Sequence, residues 1–133
     1  RLYDTDLSEI SKTENIPLLS YSPLAAGLLT GKYQNGNIPN NSRLQSSQSL
    51  GNRIGSNTFE AVNHYLQIAK RHNIDPIHMS LAFCASRPFM GSVIFGATRN
   101  SQLVRILKGL NTELSLDILQ EISLAFRKYP MPI

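Results

Sequence analysis

The sequence predicts an α/β fold built on parallel strands. Two short apolar runs, residues 16–20 (Ile-Pro-Leu-Leu-Ser) and 92–95 (Ser-Val-Ile-Phe), read as buried strands. Two helical patterns lie between them, as a crossover between parallel strands requires. Each run also opens into a turn of small and hydroxyl residues. The first is Ser20-Tyr21-Ser22-Pro23-Leu24-Ala25 and the second is Gly96-Ala97-Thr98. In parallel folds such turns follow the carboxyl ends of strands and carry ligands.

The elements follow in order along the chain. Asp4-Thr5-Asp6 places cap-type residues before Leu7 and Ile10 and predicts a short helix ending near Glu14-Asn15. In the strand that follows, Pro17 is tolerable only near the start, because proline cannot donate to a sheet ladder. Residues 34–57 are rich in Asn, Ser, Gln and Gly and have almost no periodicity. They read as a long loop, and loops of that length are functional lids or disordered linkers. Asn57 and Glu60 have the spacing of a capping box. Val62, Tyr65, Leu66 and Ala69 then trace one helical face to about His72.

Asp75-Pro76 starts the next helix, with proline at its favoured first position. That helix carries Ile77, Leu81 and Cys84 and ends near Ser86, before Pro88. Beyond the second strand, Leu103, Ile106, Leu107 and Leu110 mark another helix. Ser115 caps a last one, whose buried side holds Ile118, Leu119, Ile122 and Phe126. No segment repeats at a fixed period.

Composition narrows the function classes. The chain has 133 residues, 41% of them hydrophobic, enough for one globular core, and no second domain is expected. No apolar run approaches the ~20 residues of a membrane span, and no signal-peptide pattern opens the chain. The single cysteine, Cys84, cannot form an internal disulfide and fits a reducing compartment, so a cytoplasmic location is expected. The net charge is +4, but Lys12, Lys32, Arg43, Lys70, Arg87 and Arg105 are spread along the chain. Nucleic-acid binding needs a patch or stripe, so no nucleic-acid partner is expected. The first residue is Arg1, so the chain reads as processed, trimmed or incompletely sampled.

Candidate chemistry gathers at the two turns. Their hydroxyls and backbone amides suit the oxygens of a phosphate-bearing ligand, with Lys32 or Arg43 to neutralise charge. Tyr21 is either a flat face for stacking a heteroaromatic ring or an ordinary strand-end aromatic, and Lys32 is either a ligand cation or a solvated one. His64, His72 and His78 are spaced so that no two fall on adjacent helical turns, which argues against a metal site. Cys84 sits on an apolar helix face as a small hydrophobe.

The stretches LLSYSPLAAGLLTGKY, NSRLQ, DPIHMSLAFCASRP and SVIFGATRNSQL occur in that order over nearly the whole chain. Together they resemble the C-terminal half of an aldo-keto reductase, in particular the bacterial reductases similar to potassium-channel β-subunits. The resemblance implies a (β/α)8 barrel of the TIM type that binds NADP(H) across the carboxyl ends of its strands. Residues 16–20 would be its seventh strand and 92–95 its eighth, and residues 1–133 a partial barrel. By resemblance, Tyr21 stacks on the nicotinamide ring, and Ser22, Pro23, Leu24, Ala25 and Gly27 form the loop around the pyrophosphate. Lys32 and Arg43 match basic residues of the same loop, which folds over the cofactor like a belt. Gly96, Ala97 and Thr98 match the phosphate turn, with Thr98 on the adenosine 2′-phosphate, Arg99 adding charge and Gln102 a further polar contact.

Two departures stand out. Family members commonly have Glu and Asn, or Asn alone, three and four residues after that Gln; here the positions are Arg105 and Ile106. Arg105 would then pack on the adenine, meet the 2′-phosphate or face solvent. Moreover, the family's Asp, Tyr, Lys and His of proton transfer come from the N-terminal half of the barrel, so no catalytic residue is assigned in this chain. The opening RLYD resembles the stretch just after the sixth strand, which suggests a fragment of a longer chain. Three readings follow: the cofactor-binding half of an NADPH-dependent aldehyde or ketone reductase, a nucleotide-sensing regulatory subunit on the same scaffold, or an inactive truncated fragment. The expected partners are a small-molecule carbonyl substrate and the N-terminal half of the barrel, with no membrane partner.

Overall fold

The computed structural model describes residues 2–130. Arg1, which opens the RLYD stretch, lies outside them. In chain order the elements are α1 (Leu2–Thr5), α2 (Leu7–Thr13), β1 (Leu18–Tyr21), two 3₁₀ segments (Ala25–Thr30 and Gln34–Gly36), α3 (Arg43–Ser46), α4 (Thr58–Arg71), α5 (Pro76–Ala85), β2 (Met90–Ile94), α6 (Asn100–Leu107) and α7 (Leu116–Lys128).

The two strands pair in parallel, as the sequence pattern requires, with Tyr21 opposite Ile94. Their boundaries differ from residues 16–20 and 92–95, for reasons of hydrogen bonding. Pro17 has no N–H, and the Ile16 N–H donates to the Ser11 carbonyl at 3.0 Å, so the ladder cannot begin there. It begins at Leu18, whose N–H donates to the Phe89 carbonyl at 2.8 Å and which pairs with Met90. The register slips between Leu18 and Leu19, where Gly91 is the extra residue. A Cβ at Gly91 would come within 2.8 Å of the Pro17 Cβ, so only glycine lets the two backbones approach at this point.

Helix starts show which local signals survive packing. Asp75 caps α5 by accepting from the Ile77 N–H at 2.9 Å, with Pro76 in the first turn, and Ser115 caps α7 by accepting from Ile118 N–H. Asp6 makes no side-chain cap bond, because α1 already occupies the segment before it and the Ser8 hydroxyl donates to the Asp4 carbonyl instead. Asn57 makes none either. The neighbouring Thr58 bonds back to the preceding turn, accepting from Gly55 N–H at 2.8 Å and donating to the Arg53 carbonyl at 3.2 Å.

Helix α4 is the hub of the core. Its Ile68 and Ala69 pack with Met79 of α5 and with Ile118, Ile122 and Ala125 of α7. Nearer its N-terminus, Val62 packs with Leu28, Tyr33, Leu44 and Leu50. The face of Val62, Tyr65, Leu66 and Ala69 expected from sequence is seen, widened by the buried Ala61 and Ile68. Residues 34–57 form the long loop read from sequence, and of its two readings the disordered linker does not hold: the segment is packed, with Leu44 and Leu50 buried and short helical turns of its own.

One side of the sheet carries apolar groups that none of the described residues covers. Leu19, Tyr21 and Ile94 share a face and are exposed to 61%, 76% and 50%. Helix α6 buries only Ile106, leaving Leu103, Leu107 and, just beyond it, Leu110 exposed. Among the described residues no helix is long and apolar enough to cross a membrane.

The glycine bulge generates a pair of opposed outcomes. Gly91→Ala should cost about 1–3 kcal/mol in urea unfolding, through overpacking against Pro17. Gly96→Ala, whose Cβ meets nothing within 4 Å, should stay within about 0.5 kcal/mol. Equal effects would show that the approach of Pro17 to Gly91 does not constrain the pair.

Candidate functional site

Parallel pairing sends both strands into their turns at the same end of the sheet, so the two candidate turns share one side of the molecule. Tyr21 is the last residue of β1, with its ring exposed on the uncovered face.

The turn after Tyr21 is backbone under strain. Ser22, Ala25 and Ala26 have φ of 61°, 48° and 57°, and Gly27 has φ of 96°. Left-handed backbone costs a non-glycine residue about 1–2 kcal/mol because Cβ crowds the following carbonyl. Ser22, Ala25 and Ala26 all carry that Cβ, so the surrounding contacts and not the residues' own preference impose the conformation. Internal bonds hold it: Ala25 N–H donates to the Ser22 carbonyl and Gly27 N–H to the Leu24 carbonyl, both at 2.9 Å, and the Thr30 hydroxyl donates to the Gly27 carbonyl at 2.7 Å. Strain of this kind concentrates where a ligand is gripped.

Lys32 folds back over this turn. A Cβ at Gly27 would meet its Cε at 3.0 Å and Nζ at 3.1 Å, and the ammonium lies 4.9 Å from the centre of the Tyr33 ring. Its place is set by neighbours that residue-type reasoning missed. Tyr33 is 1% exposed, and its hydroxyl accepts from Leu44 N–H at 3.4 Å, so the residue after the lysine anchors the start of α3. Its only signal in the sequence is an aromatic between two polar stretches. Ser42 caps α3, and Arg43 projects from the first turn as an exposed cation. No contact brings the Arg43 guanidinium to Lys32 or to the second turn, so Arg43 shares the packed segment but not the immediate cluster.

The second turn is organised by its own helix. Gln102 Oε1 accepts from both Thr98 N–H at 2.9 Å and the Thr98 hydroxyl at 3.2 Å, which ties together two residues singled out from sequence. Gly96, Ala97, Thr98 and Arg99 are all exposed. Ala97, Thr98 and Arg99 line a cleft of about 550 Å³ with Phe95, Asn100 and Leu103. The collected groups at this end of the sheet are one aromatic face, hydroxyls, a glycine-containing turn and cations, with no carboxylate between residues 92 and 104. That donor set is chemically suited to an anionic ligand with a flat ring.

Arg105 does not join the set. Its Nε donates to Asp75 Oδ2 at 2.6 Å and its Nη2 to Asp75 Oδ1 at 3.1 Å. Burial pushes the Asp75 carboxyl up, but the Arg105 hydrogen bonds, the Ile77 amide and the charges of Arg105 and His78 outweigh it and hold the carboxyl below its usual range. The histidines have structural partners. His72 meets Glu121 at 2.8 Å, His78 the Arg105 carbonyl at 2.6 Å and His64 the Lys128 ammonium at 3.3 Å. Among the described residues no three His, Cys, Asp or Glu side chains converge on a metal-sized site. Burial pushes the Cys84 thiol up, which suits packing rather than nucleophilic attack.

The chain matches the family model described as the aldo/keto reductase family over residues 1–125. It is 40% identical to protein tas of Escherichia coli K12 over 132 residues, covering 99% of this chain and 38% of that protein. It is 38% identical over 111 residues to a probable voltage-gated potassium channel subunit beta of rice, covering 81% of this chain and 34% of that one. Among solved structures it superposes on the glycerol dehydrogenase of Gluconobacter oxydans with a TM-score of 0.72 and 17% identity, over all of this chain and 41% of that one. The chain thus spans about two-fifths of the length of these proteins.

The buried tyrosine behind Lys32 yields a measurable expectation. Tyr33→Ala should cost about 3–5 kcal/mol and release the packed segment, so that limited trypsin digestion cuts much faster after Arg43 and Arg53. Cleavage at the wild-type rate would mean that Tyr33 does not anchor the segment.

Proposed function

The chain belongs to the aldo/keto reductase family, and we propose that it is the C-terminal, NADP(H)-binding part of a (β/α)8 barrel that reduces aldehydes or ketones to alcohols. The observation that carries the reading is the strained small-residue turn with Lys32 folded over Gly27, at the same sheet end as the Thr98 turn. The uncovered sheet face and the exposed side of α6 support a barrel completed by other chain segments, because isolated two-stranded sheets are marginal in water.

The residues present fit the cofactor. NADPH, when bound, supplies the hydride for carbonyl reduction. Tyr21 offers its exposed ring as the stacking face that orients the nicotinamide. The Ser22–Gly27 turn brings small residues and backbone to the pyrophosphate, and Lys32 and Arg43 offset its charge. Thr98 and Arg99 provide the hydroxyl and the cation for a 2′-phosphate, and Gln102 holds Thr98 in place. The proton donor and the carbonyl pocket come from the N-terminal part of the barrel. Cytoplasmic location is part of the same proposal.

A second reading, a nucleotide-sensing regulatory subunit on this scaffold, is favoured by the relative named a potassium channel subunit beta. It predicts cofactor binding without turnover.

The test is to mix the chain with a separately expressed N-terminal half of the barrel and follow NADPH consumption with an aromatic aldehyde. Activity in the mixture and in neither part supports the reductase. Binding without consumption supports the regulatory reading, and turnover by the 133-residue chain alone refutes the division of labour. In the active barrel, Thr98→Ala and Arg99→Ala should weaken NADPH by about tenfold and NADH far less, whereas Arg43→Ala should weaken both alike. Equal losses for both cofactors at Thr98 and Arg99 would mean that these residues do not read the 2′-phosphate.

A further inference from the structure

We infer that Arg105 is a positioning residue: clasped by Asp75, it fixes α6 against α5 and thereby sets the place of the Thr98–Gln102 turn. The consequence for cofactor binding rests on the reading above; the clasp itself does not.

Helix α6 has little else to hold it. It buries a single side chain, Ile106, and its other apolar residues face outward. Against that, both oxygens of Asp75 receive the Arg105 guanidinium edge-on, at 2.6 and 3.1 Å, the planar fork geometry that fixes direction as well as distance. Asp75 is itself fixed, because its Oδ1 also accepts the Ile77 N–H as the cap of α5. A third contact comes from the same helix: His78 Nε2 donates to the Arg105 carbonyl at 2.6 Å. The His78 ring lies where a side chain on Gly109 would be, so the chain after α6 can pass only because that residue is glycine. Thus α5 grips α6 at the Arg105 side chain, at the Arg105 backbone and at the turn beyond it. The grip begins three residues after Gln102, less than one helical turn from the side chain that holds Thr98.

This assignment separates Arg105 from the alternatives open in the sequence, adenine packing and 2′-phosphate contact. A direct contact would make Arg105 matter and Asp75 not; a clasp makes them matter equally. Asp75→Asn is the discriminating change, because asparagine keeps the acceptor for the Ile77 amide while removing the charge that holds the guanidinium.

The experiment measures NADPH dissociation constants, turnover and amide hydrogen exchange across residues 98–104 in the complete barrel for Asp75→Asn, Arg105→Gln and the double variant. Each single variant should weaken NADPH by about two- to fivefold and speed exchange in α6. The double should be no worse than either single, and turnover at saturating NADPH should stay within about twofold, a split that general loss of stability would not give. Arg105→Lys, which keeps charge without the fork, should recover part of the affinity and serves if Arg105→Gln fails to fold. Loss with Arg105→Gln but not Asp75→Asn would overturn the clasp in favour of direct contact. Unchanged exchange in both variants would overturn it altogether. If the wild-type barrel does not bind NADPH, the cofactor reading fails, and the exchange data alone decide the clasp.

Discussion

Parallel pairing of β1 with β2 is the constraint on which the rest of the chain depends. A parallel partner cannot be reached by a hairpin, so the chain between Tyr21 and Met90 must travel the length of the sheet and return. The returning segment needs something to pack on, and α4 supplies it along its length. Its C-terminal turns, packed on α5 and α7, close the helical layer. Its N-terminal turns, packed on Leu28, Tyr33, Leu44 and Leu50, turn a polar, aperiodic stretch into ordered structure. The same pairing brings both strand ends to one side, so the placement of the candidate site follows directly from the fold.

At those ends the chain accepts local cost. Three non-glycine residues in left-handed backbone within five positions amount to several kcal/mol of unfavourable conformation. The hydrogen bonds of Thr30, Ala25 and Gly27 and the buried cluster behind them offset it. The second turn is less constrained. It is held by Gln102 and, through α6, by polar contacts to α5 rather than by buried surface, so the two halves of the site are held by different means.

Much of this was legible in the sequence, and the failures have common physical causes. The strands and their direction could be read because apolar runs flank two helical patterns; their limits could not, because the distant carbonyls of Ser11 and Phe89 decide where the ladder starts. Asp75 and Ser115 capped as expected, whereas Asn57 makes no cap bond and the adjacent Thr58 ties α4 to the preceding turn. The candidate residues of the two turns stand out in the sequence by type and resemblance, and the shared sheet end brings Tyr21 through Gly27 to the same side as Thr98. In residues 34–57 the loop could be read but not which of its residues are buried, because burial of Leu44 and Leu50 depends on packing to Val62 and not on local period. The partner of Arg105 could not be read for the same reason: the carboxylate that takes it lies thirty residues upstream.

A crystal structure of the complete barrel with NADP⁺ bound tests most directly whether the strand ends of this chain form the cofactor site. The expected result is the nicotinamide ring stacked on Tyr21, the pyrophosphate against the Ser22–Gly27 turn beneath Lys32, and the 2′-phosphate within hydrogen-bond distance of Thr98. A cofactor bound elsewhere, with Tyr21 and Thr98 untouched, would contradict it.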